Sequence, residues 1–151
     1  MTGPVRRADA DAMRWQGVDV RAYKHEHERA APFRDVTRQV LFDDPALACQ
    51  LRYFEVAPGG HTTLERHAHV HAVMIVRGRG ECLVGDRVYA IAERDLVTVP
   101  SRTWHQFRAD ADASLGFICM VNAERDRPEL PGVDDLAALA RDAAVARFLA
   151  S

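Results

Sequence analysis

The sequence predicts a single all-β domain, a small antiparallel barrel or sandwich, with a polar arm before it and a short helix after it. Short apolar segments follow one another at close spacing from residue 37 onward, and turn-forming residues separate them. With 151 residues, 48% hydrophobic and 28% charged, the chain has the size and composition of one globular domain with a core.

The pattern predicts eight strands in order, at 37–42, 48–56, 62–76, 80–84, 87–91, 96–99, 103–108 and 115–121. Turn signals at 58–60 and 78–80, both glycine-rich, indicate breaks on either side of the third predicted strand. The arm has one short predicted strand near 18–23, and the tail one helix that packs on the barrel. We therefore divide the chain into an arm (1–34), a barrel (35–122) and a tail (123–151).

Charge and cysteine usage restrict the function classes. The formal net charge is -2 and no basic run occurs, so neither nucleic acid nor an anionic membrane surface is an expected partner. Apolar stretches are too short for a membrane span, and the first residues do not resemble a secretory signal. Three widely spaced cysteines (Cys49, Cys82 and Cys119) argue against a disulfide framework and predict a cytoplasmic protein.

A cluster of histidines is the strongest functional signal. Four of the seven histidines fall within residues 61–71, and His105 follows on a later predicted strand. If 62–76 is a strand, alternation brings four side chains to one face: Glu65, His67, His69 and His71. Imidazoles and a carboxylate on one face predict a site for a divalent metal such as Mn, Fe, Ni, Cu or Zn, which His105 would close. Two arm histidines, His25 and His27, are interpreted as exposed loop residues.

The predicted metal strand is apolar on both faces beyond its histidines. Val73 and Ile75 share the ligand face, and Ala72 and Met74 lie on the other. A strand buried on both sides needs cover outside the barrel as well as inside. The arm or a second subunit would supply this cover, so a homodimer is expected.

These residues resemble the first motif of the cupin superfamily, a G-x5-H-x-H-x3-E-x6-G pattern. Gly59, His67 and Gly78 match at the family's spacing. Glu65 stands where the first histidine is usual, and His71 stands where the glutamate is usual. The second motif matches Pro100 and His105 but departs from the family at three positions: Arg94, Arg102 and Ala109.

The resemblance implies an RmlC-like jelly-roll barrel over about residues 35–122, with a metal in its open mouth. It implies the ligand set Glu65, His67, His71 and His105, which keeps the usual three histidines and one glutamate in permuted order. The fold hosts many reactions, so it does not by itself name one.

Longer runs are similar to a bacterial cupin subgroup of methylsulfurylases. They are residues 33–42, 64–67, 104–108 and 115–122. This resemblance implies a Mn²⁺ enzyme, with Fe²⁺, Ni²⁺ or Zn²⁺ as alternatives. It implies removal of a methylthio group from 1-methylthio-D-xylulose 5-phosphate, with glutathione as co-substrate. Two alternatives remain: a non-haem iron dioxygenase, and a metal-binding cupin that senses a small ligand.

Candidate catalytic residues follow from this chemistry. Cys119 is the candidate for attack on the methylthio sulfur, with Cys82 second, although a lone buried cysteine is usually a small apolar residue. His69 is a general acid or base, a hydrogen-bonded wall residue, or a fourth imidazole ligand in place of Glu65. Arg38, Arg52, Arg66 and Arg102 are candidates for the substrate phosphate, and Arg102 precedes His105 by three residues.

Overall fold

The computed structural model describes residues 4–24 and 32–151, so His25 and His27 lie outside the described residues. The strands are β1 (Ala8–Asp9), β2 (Arg14–Trp15), β3 (Arg21–Ala22), β4 (Arg34–Asp43), β5 (Cys49–His61), β6 (His71–Val84), β7 (Arg87–Ala92), β8 (Leu96–Val99), β9 (His105–Ala109) and β10 (Leu115–Asn122). The helices are α1 (Val133–Leu139) and α2 (Ala143–Ala150). Within the described ranges, neither helix is long and apolar enough to cross a bilayer.

Eight of the strands form one antiparallel sheet that closes into a barrel. Strand order is β10-β6-β9-β5-β4-β3, with β7 and β8 also paired to β6. Closure comes from β10, which pairs with β6 on one side and β5 on the other. The predicted all-β barrel is confirmed. The tail differs from the prediction because it forms two short helices, which meet at a turn over residues 140–142.

The barrel floor is apolar and aromatic. Phe117 lies between Phe54 and Phe107, with ring centroids 5.4 Å and 4.8 Å away. Val73 and Ile75 on β6 are also buried in this core. Complete burial of side chains of this size contributes about 1.5–3 kcal/mol each. The floor therefore gives the mouth above it a fixed, low-dielectric base.

The predicted third strand, 62–76, is wrong in its first half. Strand β5 runs through the predicted 58–60 turn to His61, and residues 62–70 then cross the barrel mouth with only isolated bridges. Strand β6 begins at His71 and continues through the predicted 78–80 turn. At Gly78 the backbone φ is 68°, and a Cβ there would overlap the carbonyl oxygen of Ser114. The glycine thus permits a close strand crossing, rather than a chain reversal.

The arm covers part of the barrel's outer face. Trp15 packs on Tyr53 with ring centroids 5.2 Å apart, and Gln39 Nε2 donates a hydrogen bond to the Met13 carbonyl at 2.8 Å. The predicted strand at 18–23 is only the two-residue β3, which pairs with β4. Elsewhere on the outer face, Met74 and Leu96 are paired and exposed.

The tail packs against the end of the barrel next to β7. Asp142 caps α2 by accepting hydrogen bonds from the backbone nitrogens of Ala144 and Val145. Phe148 is buried in a second apolar cluster that includes Leu64 and Leu83. Because Leu64 lies within residues 62–70, this cluster anchors one side of the segment that crosses the mouth.

Candidate metal centre

Three histidines from three parts of the chain meet at the barrel mouth. His67 belongs to the 62–70 crossing, while His71 and His105 are the first residues of β6 and β9. Their candidate ligand nitrogens all lie within 4.8 Å of one another. The ring centroids are 5.1 Å (67–71), 4.8 Å (67–105) and 5.0 Å (71–105) apart. The nearly equal spacing suits three ligands on one face of an ion.

Hydrogen bonds at Nδ1 fix which nitrogen of each ring is available. His67 Nδ1 lies 2.8 Å from the His69 carbonyl oxygen, and His105 Nδ1 lies 2.9 Å from that of Thr103. A carbonyl only accepts, so Nδ1 carries the proton and Nε2 keeps its lone pair. His71 Nδ1 contacts Cys119 Sγ at 3.1 Å, and its buried Nε2 has no hydrogen-bond partner within residues 4–24 and 32–151. This donor set fits a divalent ion.

Burial keeps the site neutral without a metal. Burial, followed by the neighbouring His105 and His67, lowers the pKa of His71 to about 2. Burial also lowers the pKa of His105 to about 4, although its hydrogen bond to Thr103 and the nearby Glu65 partly oppose this shift. Metal binding requires neutral imidazole, so both rings are in the binding form near neutral pH.

Glu65 lies beside the three histidines but already has a partner. It forms an antiparallel bridge with His105, and its Oε2 is 2.6 Å from Lys24 Nζ. Both side chains are nearly buried, at 12% and 11% exposure. One carboxylate oxygen is thus held by an ammonium from the arm. Its role as a metal ligand stays a prediction.

His69 is directed differently from the other three histidines. Its Nδ1 is 2.7 Å from Asp126 Oδ1, and its ring is parallel to that of His67 with centroids 3.6 Å apart. Asp126 also accepts hydrogen bonds from the backbone nitrogens of Ala68 and His69. These bonds, with the Ala68 bond first, lower the pKa of Asp126. His67, His69 and Asp126 form a second group of potential ligands.

Cys119 lies in the pocket wall, next to a metal-site histidine. It is 1% exposed, and Arg52 Nη2 is 3.8 Å from its sulfur. Burial raises the pKa of the Cys119 thiol, and Arg52 partly opposes the rise. Cys82 is a core residue opposite Phe107, and burial raises its pKa to about 12. Of these two sequence candidates, only Cys119 lines the pocket.

The pocket above the histidines encloses about 540 Å³ and has a cationic side. Among the predicted phosphate ligands, Arg38 and Arg52 line it, whereas Arg66 and Arg102 pair with Glu129 at 2.8 Å and 3.2 Å and do not. The other basic pocket residues are Lys24, Arg125 and Arg127. No sequence motif marks Lys24, Arg125, Asp126 or Arg127, because these residues lie in the arm and the tail.

Comparison with known proteins supports the fold described above. The profile of the cupin domain family matches residues 52–121. The 1-methylthio-D-xylulose 5-phosphate methylsulfurylase of Rhodospirillum rubrum is 63% identical over 136 residues, covering 90% of this chain and 86% of that protein.

Two crystal structures are also similar. The first is a cupin 2 conserved barrel domain protein from Rhodopseudomonas palustris, with TM-score 0.87 and 58% identity; the match covers 95% of this chain and 97% of that one. The second, a cupin-2 domain protein from Rhodospirillum rubrum, has TM-score 0.84 and 63% identity, with 90% of each chain covered.

The lowered histidine pKa values predict that metal-free protein loses stability in mild acid. The unfolded chain binds protons at an ordinary pKa near 6.5, whereas folded His71 and His105 do not. The contribution of these two histidines to the free energy of unfolding is therefore fully present above about pH 6.5. It falls as the pH drops toward the pKa values of the folded state. Between about pH 7.5 and about pH 5, we expect the free energy of unfolding to fall by about 4 kcal/mol from these two groups. Urea denaturation in chelator measures it.

The matched variant is His105→Asn, which removes one of the two groups. It should reduce the loss by about half or more, because it removes one proton-binding group and also the charge interaction by which His105 lowers the pKa of His71. A wild-type stability that is unchanged between the two pH values would contradict the assignment of neutral, buried imidazoles.

Proposed function

Because this chain belongs to the cupin family, we propose that its histidine centre serves an enzyme that converts 1-methylthio-D-xylulose 5-phosphate to 1-deoxy-D-xylulose 5-phosphate. The observation that carries this proposal is 63% identity to the Rhodospirillum rubrum methylsulfurylase over 90% of the chain. A thiol, a three-histidine centre and a cationic wall in one pocket support it, since the reaction needs a sulfur nucleophile, an electrophile for a ketone and a phosphate site.

His67, His71 and His105 would hold the ion through Nε2, with Glu65 completing the set through the carboxylate oxygen that Lys24 leaves free. The proposed ion is Mn²⁺, and the same nitrogen and oxygen ligands also accept Fe²⁺, Ni²⁺ or Zn²⁺. When bound, it supplies a Lewis acid for the ketose carbonyl. The protein's contribution is to hold these side chains rigidly above an apolar floor.

Cys119 is the proposed nucleophile. Its thiolate attacks the methylthio sulfur, the bond from that sulfur to C1 breaks, and the electron pair passes to C1 and its neighbouring carbonyl. Cys119 is left as a methyl disulfide, and C1 takes a proton to become the methyl group of the product. His71 Nδ1–H and Arg52 lie 3.1 Å and 3.8 Å from the sulfur, where both favour its anionic form.

Two glutathione molecules restore the cysteine. The first attacks the Cys119 sulfur, releases methanethiol and forms a mixed disulfide, and the second resolves it to glutathione disulfide and free Cys119. The net reaction consumes two thiols and yields one disulfide, which balances the two-electron reduction at C1. Among the described residues, all three cysteines are free, which suits a reducing, cytoplasmic setting.

His69 is the proposed proton carrier, whose Nε2 would accept the proton that the Cys119 thiol loses and pass it to C1. It lines the pocket, and the bond from Nδ1 to Asp126 orients the ring and leaves Nε2 for proton transfer. Asp126 acts on His69 as an anchor, held in turn by the backbone nitrogens of Ala68 and His69.

The phosphate is proposed to bind at Arg38, Arg52 and Arg125 on the cationic side of the pocket. Their charges act on one another, since burial first, and then Arg52 and Arg38, lower the pKa of Arg125. A dianionic phosphate relieves this repulsion and accepts several guanidinium hydrogen bonds. Arg66 and Arg102 are less suited because each pairs with Glu129.

A homodimer is proposed for the same protein. The outer face carries Met74, Leu96 and Met120 side by side, at 46%, 63% and 53% exposure. The arm covers the neighbouring part of this face through Trp15, and a second subunit would cover the rest.

The direct test incubates manganese-loaded protein with 1-methylthio-D-xylulose 5-phosphate and glutathione, followed by phosphorus NMR. We expect conversion by the wild type and none by Cys119→Ser, which removes the nucleophile but leaves the metal bound. Cys49→Ser is the matched control, because Cys49 lies outside the pocket lining and should leave conversion unchanged. Full activity of Cys119→Ser would refute the nucleophile. Iron-dependent oxygen uptake without conversion would indicate a dioxygenase instead.

The phosphate site predicts a division among arginine variants. Arg38→Met removes one charge-assisted contact, so we expect KM to rise about 10- to 100-fold while kcat changes little. Arg102→Met is the matched control, with KM within about twofold of wild type, since its guanidinium pairs with Glu129 outside the pocket. A raised KM for Arg102→Met, with a KM near wild type for Arg38→Met, would contradict this site and indicate that the phosphate binds near Arg66 and Arg102. Steady-state kinetics with the ketose phosphate measures it.

A further inference from the structure

The chain has one lysine, and it lies in the metal pocket. Of its 20 Lys and Arg residues, 19 are arginine and the single lysine is Lys24. Lysine and arginine side chains differ in shape and hydrogen bonding, since an ammonium is a compact point charge and a guanidinium is a wide planar fork. A compact ammonium suits the contact that Lys24 makes with one carboxylate oxygen of Glu65.

The arm positions this lysine by packing. Strand β3 pairs with β4 through Ala22 and Thr37, and the next residue, Tyr23, inserts its ring between Phe33 and Phe54. The ring centroids lie 5.1 Å and 5.8 Å from that of Tyr23. This anchor directs Lys24 into the mouth, where its side chain is 11% exposed.

Among the described residues, Lys24 makes one close ionic contact in the pocket. Its Nζ lies 2.6 Å from Glu65 Oε2, and the Glu65 side chain is 12% exposed. A charge-assisted hydrogen bond of this length fixes the carboxylate rotamer. It engages one of the two carboxylate oxygens of Glu65, which lines the metal pocket. Carboxylates that bind metals are commonly held by such an outer partner.

We propose that Lys24 is a positioning residue of the metal centre, which restricts Glu65 to one available oxygen and offsets its negative charge. This inference rests on the proposed metal site. The ammonium has two consequences for a bound ion. It repels the cation and draws electron density from the carboxylate, so the ion binds less tightly than it would without Lys24. For the same reason the ion remains a stronger Lewis acid.

A purely structural role predicts the opposite sign. If the ammonium only maintained the shape of the pocket, its removal would disorder Glu65 and weaken metal binding. The electrostatic role predicts that metal binds more tightly while turnover slows. Affinity and turnover thus change in opposite directions if the charge of Lys24 acts on the ion, and in the same direction if Lys24 only maintains the shape of the pocket.

The test measures metal binding without substrate. Mn²⁺ is titrated into chelator-treated wild type and Lys24→Met, and free Mn²⁺ is followed by electron paramagnetic resonance. We expect Kd to fall about tenfold in Lys24→Met. The visible absorption of the Co²⁺ forms should also differ, because Glu65 becomes free to bind through both oxygens. Arg21→Met is the matched control, since it removes an exposed charge from the same β3 segment and should match wild type.

A second pair of variants keeps the test decisive if Lys24→Met is unstable. Lys24→Arg retains the charge, and we expect a Kd within about threefold of wild type. Glu65→Gln leaves the ammonium unpaired near the ion, so Kd should rise at least about tenfold, and Lys24→Met in that background should restore part of the affinity.

The outcomes separate this inference from the proposed function. Weaker or unchanged binding in Lys24→Met, with the wild-type cobalt spectrum, would overturn the role of Lys24 and leave the metal site intact. No metal binding by wild type would overturn both. As the only lysine, Lys24 also permits a direct check with a ketose phosphate and borohydride: a covalent adduct at this residue would show that it reacts with the substrate itself and would contradict the positioning role.

Discussion

The centre depends on the hydrogen bonds that fix the Nδ1 atoms of its histidines. Two of the rings donate to backbone carbonyls, of His69 and Thr103, and the third contacts the Cys119 sulfur. The two carbonyl bonds assign the proton to Nδ1 and the lone pair to Nε2 in His67 and His105. The buried Nε2 of His71 has no hydrogen-bond partner among the described residues, so it is also available to an ion. Without these contacts, the three imidazole rings would not be held in the orientation that makes their Nε2 atoms available to one ion.

The barrel makes this arrangement possible through its strand ends. His71 begins β6, where it pairs with β8 and β10, whereas His105 begins β9 and pairs with Val84 at the other end of β6. The two histidines therefore meet through the closure of the barrel rather than as direct strand partners. His67 comes from the crossing segment, which the Leu64 cluster and the bridge between Glu65 and His105 hold in place. The aromatic floor excludes water beneath, and electrostatic effects among His71, Cys119 and Arg52 are stronger there than they would be in solvent. The contact between His71 and Cys119 thus connects the metal centre to the proposed sulfur chemistry.

Part of this centre was predictable from the sequence. The motif spacing selected His67, His71 and His105, and the structure brings their candidate ligand nitrogens within 4.8 Å of one another. Their role as metal ligands stays a prediction. The stated reason, alternation along one strand, was wrong, since residues 62–70 are not a strand and His69 is anchored to Asp126 instead. The turns predicted at 58–60 and 78–80 were also wrong, because β5 and β6 continue through these residues. A glycine that permits close approach of a neighbouring strand, as at Gly78, has the same local sequence as a glycine in a turn.

Other features depend on contacts between distant parts of the chain. Lys24 and Asp126 reach the mouth from the arm and the tail, and no local pattern marks either of them. The phosphate candidates Arg66 and Arg102 lie close to metal ligands in sequence, yet Glu129 from the tail holds both outside the pocket. Closeness in sequence to the motifs therefore predicted the candidate metal ligands, but it did not predict which basic residues line the pocket.

The most direct measurement is the anomalous diffraction of crystals of manganese-loaded protein, recorded on both sides of the metal absorption edge. The account predicts one strong peak at about 2.0–2.3 Å from the Nε2 atoms of His67, His71 and His105. A peak between His69 and Asp126, or no peak in fully loaded protein, would contradict the central claim that these three anchored histidines form the metal centre.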